Sequence, residues 1–122
     1  MVGIRSNDFS SPDEAMTFEK TEMKVAHLGD IKVARAVIQP GWSWSTCIKP
    51  VVGTESCVVR HVGVVVSGCM VATHDDGTEI NLCEGDAYVI EPGHDGRVEG
   101  GQVCILYEFN TLAIEHFAEN AQ

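Results

Sequence analysis

The most constraining feature of this sequence is a regular alternation of short apolar runs and turn signals, which begins at Lys24 and continues almost to the end. The runs are rich in β-branched residues and cover residues 24–28, 31–38, 58–66, 69–74, 79–82, 87–90 and 103–109. Asp76-Gly77 is a strong hairpin signal, because glycine accepts the positive φ that tight hairpin turns require. Short strands at this spacing predict an all-β fold, an antiparallel sandwich or barrel.

Length and charge narrow the class of protein further. A chain of 122 residues corresponds to one domain, which we divide into an N-terminal arm (1–22), a barrel (23–110) and a C-terminal tail (111–122). The 18 Asp and Glu outnumber the 8 Lys and Arg, which argues against nucleic-acid or anionic-membrane partners. We expect the acidic groups to form a solubilising shell. The sequence shows neither a membrane span nor a secretory signal, so the cytoplasm is the expected location.

The chain has five cysteines, an odd number without a Cys-x-x-Cys pair, and this pattern predicts neither a disulfide framework nor a zinc knuckle. In the cytoplasm these thiols are expected to be reduced. We interpret Cys69, Cys83 and Cys104 as small buried hydrophobic residues. Cys47 and Cys57 stand out because of their neighbours.

Residues 85–94, Gly-Asp-Ala-Tyr-Val-Ile-Glu-Pro-Gly-His, resemble the second conserved motif of the cupin superfamily. The segment from Pro40-Gly41 to Gly68 resembles the first motif, and the likeness covers about residues 25–110. More narrowly, the chain is similar to a group of small single-domain bacterial cupins. The resemblance implies a double-stranded β-helix (jelly-roll) barrel, commonly a homodimer, in which three His and one Glu often bind a divalent metal.

The usual cupin ligands are replaced in this sequence. Cys47 occupies the position of the first His, Lys49 that of the second and His61 that of the Glu. Gly96 occupies the position of the last His, and His94 lies two residues earlier. The resemblance therefore implies a modified metal site made of Cys47, His61 and His94.

Strand parity allows these side chains to converge. If residues 41–49 are extended, Cys47 and Lys49 share one face, and Cys57 lies on the same face as His61 in the next run. Cys57 is then a candidate fourth ligand. A thiolate and two imidazoles suit zinc, iron or nickel. The alternatives are that His61 is a core residue, that His94 is a turn residue, and that Cys47 and Cys57 are inert or paired thiols.

Three functional hypotheses follow. The first is a metal-dependent cupin that binds a small carboxylate-type molecule, with enzymatic activity and substrate left open. The second is a non-catalytic ligand-binding or sensing module without metal, and the third is a redox sensor based on Cys47 and Cys57. The candidate catalytic residues are Lys49, as a buried base, and Tyr88, as a hydroxyl donor.

The remaining polar and aromatic candidates are assigned structural roles. Arg60 is expected to form a salt bridge outside the barrel. Trp42 and Trp44 are expected to pack between the sheets or at a dimer contact. His27, His74 and His116 are interpreted as solvent-exposed residues.

Overall fold

The structure, a computed structural model, describes residues 3–109; the predicted tail and His116 lie outside the described residues. Nine strands and two short helices account for the regular structure of this part of the chain. The strands are β1 (Glu14–Phe18), β2 (Thr21–Leu28), β3 (Ile31–Ile38), β4 (His61–Ser67), β5 (Cys69–His74), β6 (Glu79–Cys83), β7 (Ala87–Ile90), β8 (His94–Arg97) and β9 (Cys104–Phe109). The helices are α1 (Trp44–Cys47) and α2 (Lys49–Val52).

The strands form two antiparallel sheets. One has six strands in the order β1-β2-β3-β9-β4-β7, and the other has three in the order β6-β5-β8. From β4 onward the chain passes repeatedly between the two sheets, as a jelly roll requires. The predicted all-β, double-stranded β-helix fold is confirmed, and so is the predicted hairpin, since Gly77 (φ 96°) turns the chain between β5 and β6.

The core lies between the two sheets and consists of side chains from their inner faces. In β9, Cys104, Leu106 and Glu108 are buried while the intervening residues are partly exposed, which is the period of two expected of a strand with one buried face. Val25 of β2 and Val65 of β4 are fully buried in the same core. Glu108 is therefore a carboxylate in an apolar interior, contrary to the expectation of a purely superficial acidic shell.

Residues 14–18, within the predicted arm, form the edge strand β1, and the boundaries at residues 22 and 110 stay predictions. Among the described residues, no helix has the length and apolar character needed to cross a membrane. The homodimer that the resemblance implies also stays a prediction.

The extended conformation predicted for residues 41–49 is wrong, because helices α1 and α2 occupy this segment. Ser43 caps α1, since its side-chain oxygen accepts a hydrogen bond from the Thr46 amide at 3.1 Å. Pro50 stands in the first turn of α2, where its missing N–H is tolerated. The strand parity invoked for Cys47 and Lys49 therefore does not apply.

The expectation that all five cysteines are reduced is also wrong. Cys69 and Cys83 lie directly opposite each other in the β5–β6 hairpin and form a disulfide bond. Neither is fully buried. Cys47, Cys57 and Cys104 are free and buried. The interpretation of Cys69, Cys83 and Cys104 as buried hydrophobic residues is therefore confirmed for Cys104 alone.

We expect the Cys69→Ser/Cys83→Ser variant to lose about 3 kcal/mol of unfolding free energy, because this bond closes a loop of 14 residues. Urea denaturation with and without a phosphine reductant measures the loss. The reductant should destabilise the original protein and leave the double variant unchanged. An equal effect on both proteins would contradict the assignment.

Candidate metal centre

Three side chains that could hold a metal ion meet inside the barrel. The donor atoms of Cys57, His61 and His94 all lie within 4.8 Å of one another. His61 begins β4 of the six-stranded sheet, and His94 begins β8 of the three-stranded sheet. The two sheets therefore each contribute one imidazole.

Main-chain hydrogen bonds hold Cys57 beside His94. The Cys57 amide donates to the His94 carbonyl oxygen at 2.8 Å, and the Gly93 amide donates to the Cys57 carbonyl oxygen at 2.7 Å. This isolated bridge precedes β4 and lies at the start of β8. The thiol is thus positioned by backbone pairing, without belonging to a long strand.

A buried carboxylate orients His61. The Nδ1 of His61 lies 2.8 Å from Glu108 Oε1, and its Nε2 lies 3.5 Å from Cys57 Sγ. Because a carboxylate accepts hydrogen bonds, Nδ1 is the protonated nitrogen and Nε2 is directed toward the thiol. Metal-binding histidines commonly show this carboxylate–imidazole arrangement.

Tyr88 fixes Glu108 in turn. The Tyr88 hydroxyl donates to Glu108 Oε2 at 2.8 Å. Gly63 makes this contact possible, because a Cβ atom at that position would lie 2.7 Å from the tyrosine oxygen. Burial is the largest cause that raises the pKa of Tyr88, and the neighbouring Glu108 raises it further. The hydroxyl is therefore a permanent donor that positions Glu108, rather than an acid or base.

The second imidazole is oriented by the main chain. His94 Nδ1 donates to the Glu91 carbonyl oxygen at 2.7 Å, which leaves Nε2 as the nitrogen with a lone pair. The ring stands nearly perpendicular to that of His61, at 72°, with the ring centroids 4.9 Å apart. Both imidazoles thus have Nδ1 engaged, so that Nε2 is the ring nitrogen left to bind a ligand once it carries no proton.

The imidazoles change the protonation of the thiol. Burial alone raises the pKa of Cys57, but hydrogen bonds and positive charge from His61 and His94 outweigh it and lower the pKa to about 6. Burial lowers the pKa of His61, and the charge of Glu108 together with the Cys57 contact raises it overall. The metal-free group therefore pairs a Cys57 thiolate with a protonated His61 at neutral pH. The thiolate is the form of cysteine that binds metals, and metal binding would displace the proton from His61 Nε2.

The other predicted site residues lie elsewhere. Cys47 is buried on α1, outside this group, and burial is the main cause that raises the pKa of its thiol. Lys49 lies partly exposed on α2, with its Nζ 3.5 Å from the exposed Glu55. Arg60 forms the predicted salt bridge outside the barrel, 2.9 Å from Glu91.

Sequence reasoning missed the role of Glu108, although a signal was present. In the run Cys-Ile-Leu-Tyr-Glu-Phe, Glu108 has the same strand parity as the buried Cys104 and Leu106. An acidic residue on the inward face of an apolar strand needs a partner in the core. That partner is His61.

A cavity of about 70 Å³ adjoins the group inside the barrel. Its polar wall comprises His61, His94, Glu108 and Asp95. Its other walls are largely apolar, formed by side chains such as Trp42, Trp44, Ile48, Met70, Ile90 and Leu106. A small molecule in this cavity would contact the candidate ligands from within the barrel.

No family model and no curated protein matches the sequence. Solved structures do match the fold. The polyketide cyclase RemF of Streptomyces resistomycificus is 16% identical, covering 88% of this chain and 79% of its own, with a TM-score of 0.63. A Rhizobium leguminosarum protein of unknown function is 17% identical, covering 88% and 97%, with a TM-score of 0.58.

A third match is the cupin-2 domain of an XRE-family transcriptional regulator from Enterobacter cloacae. It is 15% identical, covers 74% of this chain and 94% of its own, and has a TM-score of 0.54. At identities this low the structural similarity shows the fold alone, and that fold is a small cupin barrel. The resemblance drawn from the motifs at residues 40–68 and 85–94 is confirmed at this level.

Proposed function

We propose that this cupin barrel binds one divalent metal ion through Cys57 Sγ, His61 Nε2 and His94 Nε2. The observation that carries the proposal is the orientation of both imidazoles: each Nδ1 donates to a fixed acceptor, Glu108 or the Glu91 carbonyl oxygen. Outer hydrogen bonds of this kind fix the tautomer and strengthen the ligand nitrogen. Beside them lies a buried cysteine whose thiolate is stabilised.

The donor set fits zinc best among the metals considered. Zinc accepts mixed thiolate and imidazole ligands, and catalytic zinc sites commonly combine three protein ligands with one open position. Iron(II) and nickel(II) also bind imidazole, and they are the alternatives to test. Cys47 is not needed for this set, since Cys57 supplies the thiolate.

The open position is proposed to receive a small molecule with a carboxylate-type oxygen, held in the adjoining cavity. A bound divalent ion supplies Lewis-acid polarisation of such an oxygen. The chain's own residues would do the rest. Glu108 holds the proton on His61 Nδ1, Tyr88 holds Glu108, and the apolar walls exclude water from the cavity.

Cobalt(II) substitution tests the proposal directly. We expect one equivalent of cobalt to produce a thiolate-to-metal charge-transfer band, since a cysteine sulfur is a ligand. Cys57→Ser should abolish the band, and Cys47→Ser should preserve it. Cys47 is a matched control, because it is also a free, buried cysteine of the same barrel.

Elemental analysis of protein purified without an affinity tag completes the experiment. About one metal ion per chain in the original protein and in Cys47→Ser is the expected result. Sub-stoichiometric metal that Cys57→Ser leaves unchanged would refute the metal site. The non-catalytic, metal-free module would then take its place.

A further inference from the structure

Two buried hydrogen-bond donors without an acceptor belong to side chains that line the cavity. Among residues 3–109, the indole nitrogens of Trp42 and Trp44 are the buried side-chain polar atoms without a hydrogen-bond partner. The two side chains are 9% and 3% exposed, respectively, and they are the only tryptophans in the chain. Leaving a buried donor unpaired is costly, so two on residues that line one cavity need a reason.

The backbone holds both indoles at this wall. The Val98 amide donates to the Trp42 carbonyl oxygen at 2.9 Å, and the Trp42 ring packs against Gly96 of β8. Trp44 begins helix α1 and is held by the hydrogen bond from the Ile48 amide to its carbonyl oxygen at 2.9 Å. Both rings line the same cavity as His61 and His94.

The charge of the cavity limits what the indoles can receive. Among the described residues, no Lys or Arg lines it, whereas Asp95 and Glu108 do. Glu108 is bound to His61 and Tyr88, and Asp95 Oδ1 accepts from the Gly96 amide at 2.7 Å. These carboxylates therefore do not accept hydrogen bonds from the indoles. Their negative charge disfavours an anionic ligand group in the part of the cavity away from the metal ligands.

We propose that the Trp42 and Trp44 indole N–H groups recognise an uncharged oxygen acceptor, such as a carbonyl, on a small and otherwise apolar ligand. This inference rests on the proposed function, because the same ligand would direct its other polar end toward Cys57, His61 and His94. The two tryptophans then determine specificity. A cavity of about 70 Å³ is smaller than the ~150 Å³ cavity that accommodates benzene in an engineered protein, so a skeleton of only a few carbon atoms fits.

Nuclear magnetic resonance of the indole groups gives a direct test, since only two indole N–H signals exist in the protein. The probes are acetone, which has a neutral carbonyl, and isobutene, which has the same shape without an acceptor. Acetate serves as the charged comparison. Each is titrated into zinc-loaded and into metal-free protein.

Acetone should move at least one indole N–H signal downfield, as a new hydrogen bond does, and isobutene should not. In Trp42→Phe and Trp44→Phe the remaining indole signal reports binding, and the apparent Kd for acetone should rise about three- to tenfold, the worth of one neutral hydrogen bond. Signals that stay fixed with every probe, or that move equally with isobutene, overturn the proposal. Acetate binding at the indoles more tightly than acetone also overturns it.

The experiment separates this inference from the metal site. Both Trp→Phe variants should retain one cobalt equivalent with the charge-transfer band, because neither indole is a ligand. Acetone shifts in a protein that fails to bind metal would refute the metal site and support the recognition role. A protein that binds cobalt but shows no acetone-dependent indole shift would support the metal site and refute the recognition role.

Discussion

Replacing His61 by Leu is expected to lower the unfolding free energy of the metal-free protein by about 3–5 kcal/mol, as measured by urea denaturation. The substitution puts an apolar side chain of similar size in place of the imidazole, and it leaves Tyr88 as the remaining partner of Glu108, which is only 5% exposed. A buried carboxylate without its counter-charge cannot recover the solvation it lost on folding. The loss therefore comes mainly from Glu108.

Two further variants make this prediction specific. Adding Glu108→Gln to His61→Leu should restore part of the lost stability, because the isolated charge disappears. Arg60→Leu is the matched control, since it breaks the neighbouring exposed ion pair with Glu91 and should cost about 0–1 kcal/mol. Equal losses in His61→Leu and Arg60→Leu would contradict the structural role of the buried pair.

Replacing His94 by Ala is expected to weaken zinc binding by more than 100-fold, as measured by competition with a chromogenic chelator. Disruption of outer hydrogen bonds alone costs about 10–100-fold in metal affinity, and this substitution removes a ligand atom. It also removes the contribution of the three-stranded sheet to the site.

His27→Ala is the control for that measurement. His27 lies partly exposed on β2, where it contacts Glu14, and it is not part of the metal-ligating group. Its removal should leave zinc affinity within about threefold of the original. An equally small effect of His94→Ala would show that the metal binds elsewhere.

Much of the fold could be predicted because most strands carry their own apolar pattern and are bounded by turn residues. Strands β3, β5 and β7 begin and end where the apolar runs do. The apolar runs do not predict β1, although Met16 and Phe18 alternate inward, because it is short and lies in a polar segment. They do not predict β8 either, because its four residues include no apolar side chain. The helices α1 and α2 have four residues each, too few for a helical period to show.

The disulfide and the site were harder to predict because both depend on the register in which strands pair. That Cys69 faces Cys83 follows from the pairing of β5 with β6, which spacing alone does not specify. Cys57, rather than Cys47, joins His61 and His94, because the capped helix at Ser43 carries Cys47 away from an extended path. Strand parity predicts Cys57 near His61 on the assumption of a continuous strand, whereas β4 begins at His61 and the backbone bridge to His94 positions Cys57.

The placement of one imidazole in each sheet has a mechanical consequence. An ion held by His61 and His94 would cross-link the two sheets. Without it, the sheets contact each other through side-chain packing and the short backbone bridge at Cys57. The strength of that joint would add to the resistance of the barrel to unfolding in proportion to the logarithm of ion concentration over Kd. Release of the ion would then require the two sheets to separate slightly, so that the rate of this opening would determine the residence time of the ion.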